Sequence, residues 1–238
     1  MTLVIPTCRG PAAFERSYQP GDILGLGESM TNGLLSTAGA GTWTGPLIAT
    51  GLIRRTGPVA GFTDTTDTST NIINALIGNS AAGPGYVGIS FRMRFINTVA
   101  QALTFAAGTG VVVGLGTLNV AASLWRDYLW TILNSSPQVI VACNTTNASA
   151  VVTFALPTGQ SSLPIGPNPL SVNITPGMTV SGTGITAGTT VLGVTQGVGG
   201  IIGVTLSANA TATSTVGSPP ALTFMPTVLV DSIGSGTA

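Results

Sequence analysis

Few side chains of this sequence can carry out acid–base or nucleophilic chemistry. Its 238 residues include seven arginines and seven acidic residues, but neither histidine nor lysine. Charged residues make up 6% of the chain, against about 25% in ordinary soluble domains. Without imidazole or a lysine amine, the chain lacks the usual general base, the usual nitrogen ligand for metals and a Schiff-base nucleophile. This composition predicts a protein that is not an enzyme and binds no cofactor and no metal.

Ser29 is the residue that most closely imitates a catalytic nucleophile. Residues 22–33 (DILGLGESMTNG) resemble the first sequence block of SGNH hydrolases, in which the nucleophilic serine follows a strand. That reaction needs a histidine base, and the sequence contains none. We therefore interpret this segment as a strand that leads into a turn, and we expect no hydrolase activity through Ser29.

The pair Asp64 and Asp67 offers two carboxylates near a predicted helix. A hard cation such as Ca²⁺ requires several more oxygen ligands, and the spacing of an EF-hand is absent. Apolar residues at helical spacing follow at Ile72, Ile73, Leu76 and Ile77, with Thr68, Ser69 or Thr70 as a possible cap. Acidic groups are favourable at a helix N-terminus, so the sequence favours capping over cation binding.

The remaining reactive groups give weak signals. Arg54 and Arg55 form the one basic pair, which indicates a solvated turn or an interface salt bridge more than a phosphate site. Cys8 and Cys143 are far apart and are interpreted as free or buried thiols, with a disulfide as the alternative. The absence of a basic patch argues against nucleic-acid binding. The sequence has no run of 18 apolar residues, so it predicts no membrane span.

Residues 1–20 are predicted to form an extended N-terminal arm. Three prolines disfavour a helix in this segment. Aromatic and arginine side chains between the prolines can supply apolar burial and charged hydrogen bonds to a capsid protein or to a neighbouring subunit. The candidate interaction residues are Arg9, Phe14, Arg16 and Tyr18.

The rest of the chain is predicted to form two β domains, 21–134 and 135–238. Strand-length runs bounded by Gly, Pro or Asn occur in both halves, and residues 89–95 alternate clearly between apolar and polar side chains. Residues 139–154 are typical of a hairpin around an Asn-Thr-Thr-Asn turn. Beyond the break at 134–138, Asp231 is the one charged residue. The predicted fold class is all-β, with β-sandwich or small β-barrel domains and one short helix.

Two stretches resemble structural β modules of tailed bacteriophages. Residues 91–132, which include LTFAAGTGV and a closing aromatic strand, are similar to a recurring pattern in phage virion proteins. Residues 175–213 (PGMTVSGTGITAGTTV, then VTLSANATAT) resemble a module of capsid-decoration and head-fibre proteins. The resemblance implies a capsid decoration, or cement, protein on the outer surface of the virion, synthesised in the host cytoplasm. It further implies a homo-oligomer, most simply a trimer, bound to the major capsid protein.

A second function remains open at this stage. A head-fibre or tail-associated adhesin would bind a host receptor or glycan through exposed aromatic side chains. The candidates are Trp43, Trp125, Tyr128 and Trp130. The last three lie in one predicted strand, which favours a place in the core over a place in a binding site.

Overall fold

The computed structural model describes residues 23–24, 32–77, 86–155, 174–197, 200–215 and 217–237. The predicted all-β class is confirmed, since strands account for 48% of the chain and helices for 9%. None of the helices in these residues is long and apolar enough to cross a membrane. The predicted N-terminal arm lies outside the described residues, and so do Cys8 and Ser29.

The described residues contain sixteen strands and two helices. In chain order they are β1 Ile23–Leu24, β2 Asn32–Leu35, β3 Thr42–Trp43, α1 Gly45–Ala49, β4 Leu52–Arg55, β5 Thr63–Thr66, α2 Ser69–Ile77, β6 Ser90–Asn97, β7 Thr104–Ala106, β8 Val111–Val113, β9 Leu124–Asn134, β10 Val139–Asn144, β11 Val151–Phe154, β12 Thr179–Ser181, β13 Val191–Gly197, β14 Gly200–Leu206, β15 Ala221–Met225 and β16 Thr227–Thr237.

The largest sheet has seven strands and mixes parallel and antiparallel pairs. Its order is β2-β4-β6-β9-β16-β8, and β1 also pairs with β6. Strands β2, β4 and β6 run parallel to one another. Strand β9 runs antiparallel to both β6 and β16. We call this sheet the large sheet.

A three-stranded parallel sheet of β3, β5 and β7 accompanies the large sheet. The chain visits the two sheets in turn from β2 to β7, so that each return to a sheet is parallel to the previous strand. Helix α1 lies in the crossing from β3 to β4, and helix α2 in the crossing from β5 to β6. This winding positions the charged residues of β4 and β5 beside each other.

The core of this first unit is rich in aromatic side chains. The predicted alternation in β6 is confirmed, because Phe91, Met93 and Phe95 are buried while Arg92 and Arg94 lie on the opposite face. The ring of Trp43 stacks on Phe95, with centroids 4.3 Å apart, and it also contacts Phe105 and Tyr128 edge-on. Such pairs add about 0.5–1.5 kcal/mol each beyond their burial.

The predicted helix is confirmed as α2, with Thr68 accepting a hydrogen bond from the Asn71 backbone N–H at 3.3 Å. The prediction of a single helix and of one strand over residues 44–53 is wrong. The Thr44 side chain and a proline in the first turn begin the short helix α1, and the strand starts only at Leu52. Proline is well tolerated in the first turn of a helix, where its missing N–H has no intrahelical partner.

The six-stranded sheet of the second unit has the order β12-β15-β10-β11-β14-β13 and closes on itself. The beginnings of its two end strands meet at a single bridge between Thr179 and Thr190, with backbone hydrogen bonds of 2.8 Å from Val180 N to Thr189 O and from Val191 N to Met178 O. The predicted hairpin of β10 and β11 is confirmed as an antiparallel pair. This closed sheet, which we call the barrel, encloses a core that includes Cys143, Val204 and Phe224.

The last strand, β16, returns to the large sheet. It pairs along its length with β9, from Thr227 opposite Asn134 to Thr237 opposite Leu124. Val228 and Val230 accordingly belong to the first core, whereas the core residues of the barrel come from 139–224. The barrel therefore lies, along the chain, between two neighbouring strands of one sheet. The division into two domains remains a prediction, and β16 packs with the first of them.

Candidate functional site

The four residues predicted to contact a capsid protein or a neighbouring subunit are not among the described residues. These are Arg9, Phe14, Arg16 and Tyr18. Their role in binding therefore stays a prediction. Three groups contain most of the described charged residues: a buried ion pair, a carboxylate between two helices and a cluster on the outer face of the large sheet. The other two are Arg126, which donates to Thr117 O and Ser232 Oγ, and Asp231, which accepts from Leu115 N.

Arg55 and Asp64 form an ion pair in the interior of the first unit. Arg55 Nε lies 2.9 Å from Asp64 Oδ2, and both side chains are 0% exposed. The guanidinium also donates to four backbone carbonyls, those of Leu35, Thr37, Gly39 and Thr56. The prediction that Arg55 occupies a solvated turn or an interface is wrong. Because β4 and β5 meet here, Arg55 fixes the connection between the two sheets.

Asp67 connects the beginnings of the two helices. Its carboxylate accepts hydrogen bonds from Gly45 N at 2.9 Å, from Thr68 N at 2.9 Å and from Asn71 Nδ2 at 2.8 Å. The cap of α2 is Thr68, as predicted among three candidates. The predicted capping by a carboxylate is wrong, because Asp67 accepts from Thr68 N and the Asn71 side chain just before the helix and Asp64 serves the buried ion pair. Within the described residues, no group of three or more Cys, Asp or Glu side chains could hold a metal ion.

The third group is a charged cluster on the outward face of the large sheet. Asp127 of β9 accepts hydrogen bonds from Arg94, at 2.7 and 2.9 Å, and from Arg92. The Asp127 side chain is 1% exposed, because the two guanidinium groups cover it, while those of Arg92 and Arg94 are 45% and 41% exposed. One carboxylate thus orders two surface cations.

The electrostatics of this cluster favour its charged form. Burial raises the pKa of Asp127, but hydrogen bonds from Arg94 and Arg92 and their positive charges outweigh burial and hold that pKa below its usual value. The hydrogen bond to Asp127 raises the pKa of Arg94. Asp127 and Arg94 therefore both stay ionised throughout the neutral range.

Trp125 extends the cluster with an aromatic surface. The guanidinium carbon of Arg94 lies 4.1 Å from the centroid of the Trp125 ring. Gly236, opposite Trp125 in β16, makes room for the indole, since a Cβ at this position would lie 2.7 Å from the ring. Arg54 of β4 lies on the same outward face. It pairs with Ile96 of β6, which in turn pairs with Trp125 of β9, and cross-strand partners share a face of the sheet. We call Arg54, Arg92, Arg94, Trp125 and Asp127 the arginine face.

The other aromatic candidates belong to the core. Trp43 is 2% exposed, and Tyr128 and Trp130 are fully buried, which confirms the core interpretation of the last two. The Tyr128 hydroxyl donates to Leu118 O at 2.6 Å, and burial raises the pKa of Tyr128 well above its usual value. Trp125 is the one of the four candidates that reaches the surface.

An uncharged cleft of about 540 Å³ separates the edge of the large sheet from the barrel. It is lined by β8 with the turn before it, and by β12 with residues 185–188. Cys143 lies apart from this cleft as a free thiol in the barrel core, where burial raises its pKa to about 12. A thiol in this state is a structural rather than a reactive group.

Comparison of the chain with protein-family models, curated proteins and solved structures finds no match.

Asp127 is the residue of the candidate site that sequence reasoning missed. The alternation of residues 89–95 indicates that Arg92 and Arg94 share one face of β6, but their partner lies 35 and 33 positions later in the chain. The available signal was the single acidic residue in the apolar run of β9. Combined with two arginines at alternate positions on another strand, it indicates a cross-strand ion pair.

Proposed function

We propose that this protein is a capsid decoration protein of a tailed bacteriophage, which binds the outer shell as a homo-oligomer and stabilises the head. One observation carries the proposal. Residues 175–213, which resemble the phage surface module, supply three of the six strands of the barrel, β12, β13 and β14, together with the turn at Pro176 and Gly177 that precedes them. A motif that supplies half of an uncharged barrel supports a structural role.

The uses of the described aspartates support the same proposal. Asp64 and Asp127 bind arginines, Asp67 joins two helices, and Asp231 accepts a hydrogen bond from Leu115 N at 2.6 Å. Each of these carboxylates fixes one part of the fold against another. Such fixation suits a protein that must resist mechanical load.

The proposed mechanism is the addition of contact area across the joints between capsomers. Each square ångström of apolar surface buried contributes about 25 cal/mol before the costs of ordering. An oligomer engages several identical shell sites at once, so modest contacts combine into tight binding. Uncharged surfaces suit this role, because their burial does not require the desolvation of ions.

The experiment is a binding assay on heads assembled from the major capsid protein encoded in the same genome. Undecorated, expanded heads are mixed with the purified protein and sedimented, and their resistance to heat and low salt is compared with and without it. We expect saturable binding and a higher disruption temperature. A chain that neither sediments with heads nor stabilises them contradicts the proposal.

A truncated variant in the same assay tests the predicted N-terminal arm. Deletion of residues 2–19 removes Arg9, Phe14, Arg16 and Tyr18 together. We expect weaker binding to heads with an unchanged β-type circular dichroism spectrum. Unchanged affinity would assign the contact to the β units instead.

The alternative function, an adhesin of a head fibre or tail, is favoured by one observation. Trp125 is a surface aromatic residue that stacks with an arginine, an arrangement that suits the binding of a sugar ring. Binding of the protein to host cells, lost in Trp125→Ala and retained in Trp125→Phe, would support this function over decoration.

A further inference from the structure

We propose that the arginine face is a docking surface for a protein surface that carries carboxylates set among apolar side chains. The inference deepens the proposed function, and rests on it only for the identity of the partner as the capsid shell. The interaction itself follows from the charges, the order and the surroundings of the face.

The arginine face has an excess of positive charge. It contains three guanidinium groups, those of Arg54, Arg92 and Arg94, and a single carboxylate, that of Asp127. Arg54 is exposed, and none of the ion pairs found among the described residues involves it. Of the other aspartates in the described part of the chain, Asp64 and Asp67 are engaged in the interior contacts given above. Asp231 lies on the same sheet face in β16, opposite Leu129, and accepts a hydrogen bond from Leu115 N, so three cations face two carboxylates. The face therefore complements a partner with negative charge.

The cations of the face are held in place before any partner binds. Asp127 fixes Arg92 and Arg94 by hydrogen bonds, and the Trp125 ring supports Arg94 from the side. Ordering a long, free side chain at an interface costs about 0.5–1.5 kcal/mol. Arg94 is already ordered in the free protein, so little conformational entropy is lost when a carboxylate of the partner binds it. More of the interaction energy therefore contributes to affinity.

Apolar side chains surround the cations on the same sheet face. Leu52 pairs with Arg94 and Ile96 with Arg54, and Leu34 pairs with Arg54 from the other side. Cross-strand partners project from the same face of a sheet, and Leu34 is 57% exposed. Arginine among aliphatic and aromatic groups is the typical composition of a protein–protein contact.

Two other partners fit this surface less well. A nucleic acid presents closely spaced phosphates and binds through many cations, whereas this face offers three cations between leucine and isoleucine side chains. A second copy of the chain, facing this surface with its own, would bring like charges together at a cost of several kcal/mol. An acidic, partly apolar protein surface satisfies both the charges and the leucines.

The first experiment does not use capsids. The full-length protein is titrated at low salt with a soluble glutamate–leucine copolymer, and tryptophan fluorescence is recorded. Trp43 and Trp130 are buried, so the signal reports Trp125, and Trp125→Phe identifies its share. We expect saturable binding that Arg54→Glu weakens at least tenfold and Arg54→Lys less than threefold.

The matched control places the same charge change on the barrel. The variant Thr146→Glu with Asn147→Glu alters two exposed loop residues and lowers the net charge by two, as Arg54→Glu does. We expect it to bind the copolymer like the unmodified protein. Equal weakening by this control, or no effect of Arg54→Glu, overturns the inference. So does tighter binding of a DNA duplex, or a change of fluorescence with protein concentration alone that Arg54→Glu abolishes.

The second experiment repeats the comparison on heads. If the unmodified protein binds heads and Arg54→Glu binds them at least tenfold more weakly, both proposals are supported. If both bind heads equally, the docking surface is wrong and decoration stands. If the copolymer result holds but neither protein binds heads, the decoration function is wrong and the acidic partner is another protein.

Discussion

The two units of this molecule reach a packed β core by different means. The first unit contains all three tryptophans and every described charged side chain, and it uses ion pairs, helix caps and stacked rings. The barrel lies within residues 135–225, which contain no charged residue at all. It relies on β-branched side chains, tight turns and the closure of its sheet. Charge therefore has a structural purpose in the first unit that the barrel does without.

The two units therefore differ in what destabilises them. An ion pair in the interior makes the first unit depend on both partners, because an unpaired buried charge is costly. A sheet without charges has no such dependence. The two units should respond differently to single substitutions, to acid and to alkali.

The largest effect is expected from Asp64→Asn, which leaves the Arg55 guanidinium charged and buried. We expect a loss of about 3–5 kcal/mol in the unfolding free energy of the first unit. Tryptophan fluorescence reports this unit alone, since Trp43, Trp125 and Trp130 all belong to it. Denaturant unfolding followed by fluorescence should shift to much lower midpoints.

The control for this substitution is the replacement of both partners, Arg55→Met with Asp64→Leu. Removing the pair together avoids the unpaired charge, so the double variant should be more stable than Asp64→Asn. Far-ultraviolet circular dichroism records both units, so the barrel transition is the part of that change that does not accompany the fluorescence change, and it should keep its midpoint in both variants. Equal losses from the single and the double variants would contradict the charge argument.

The next effect concerns the junction between the units. Asn134 donates to Thr175 Oγ1 at 2.9 Å and to Pro176 O at 3.0 Å, and it accepts from Ser136 N at 2.8 Å. Asn134→Ala should cost about 1–3 kcal/mol, because it leaves polar partners unsatisfied. It should also separate the fluorescence and circular dichroism transitions. Transitions that stay coincident would indicate that other contacts couple the units.

A third prediction tests the response to acid. The folded pKa of Asp127 lies below its unfolded value of about 3.9. Its charged form thus stabilises the fold above that value, and this contribution is lost as the pH falls through the folded pKa. The first unit should lose stability below about pH 4, while the barrel should not. Asp127→Asn should flatten this part of the acid profile, as measured by denaturation between pH 2 and 6.

In alkali, the unfolding free energy of the barrel should depend on pH. Burial raises the pKa of Cys143 to about 12, above an unfolded value of about 8.5. Since the folded state retains a proton that the unfolded state releases, the unfolding free energy should fall by about 1.4 kcal/mol per pH unit above about pH 8.5. In Cys143→Ala, this slope should disappear from the circular dichroism transition. A slope that remains would assign the effect to another group.

The smallest effect on stability is expected at the proposed docking surface. Arg54 is exposed and outside the ion pairs described, so Arg54→Ala should change the unfolding free energy of the first unit by less than about 0.5 kcal/mol. A larger loss in fluorescence-detected unfolding would show that Arg54 also supports the fold.

The sequence predicted those elements whose signals are local. The alternation of residues 89–95, the helical spacing of residues 72–77 and the hairpin turn at 144–147 each depend on a few neighbouring residues. Parallel pairing was not predicted, because β2, β4 and β6 are joined by long crossings through the other sheet, and no short turn brings these strands together as it does in a hairpin. The helix α1 was missed because its five residues are too few to establish a period.

The site was less predictable than the fold. Arg92 and Arg94 were assigned to the correct face, but their partner Asp127 is distant in sequence, and its register depends on the pairing of β6 with β9. Arg55 was misjudged because an arginine at a strand end is ordinarily solvated. Its burial requires Asp64 on a strand of another sheet, and this adjacency follows from the winding of the chain.

The return of β16 to the large sheet has a consequence for the order in which the chain folds. During synthesis, β9 emerges long before β16, so the longest ladder of the molecule waits for about ninety residues of intervening chain. A flexible loop of that length costs roughly 3 kcal/mol more to close than a tight turn. A barrel that folds first brings its two ends together and removes most of this entropy. Since Asn134 and Thr227 pair directly, a short turn should replace residues 136–226 and leave the large sheet able to form.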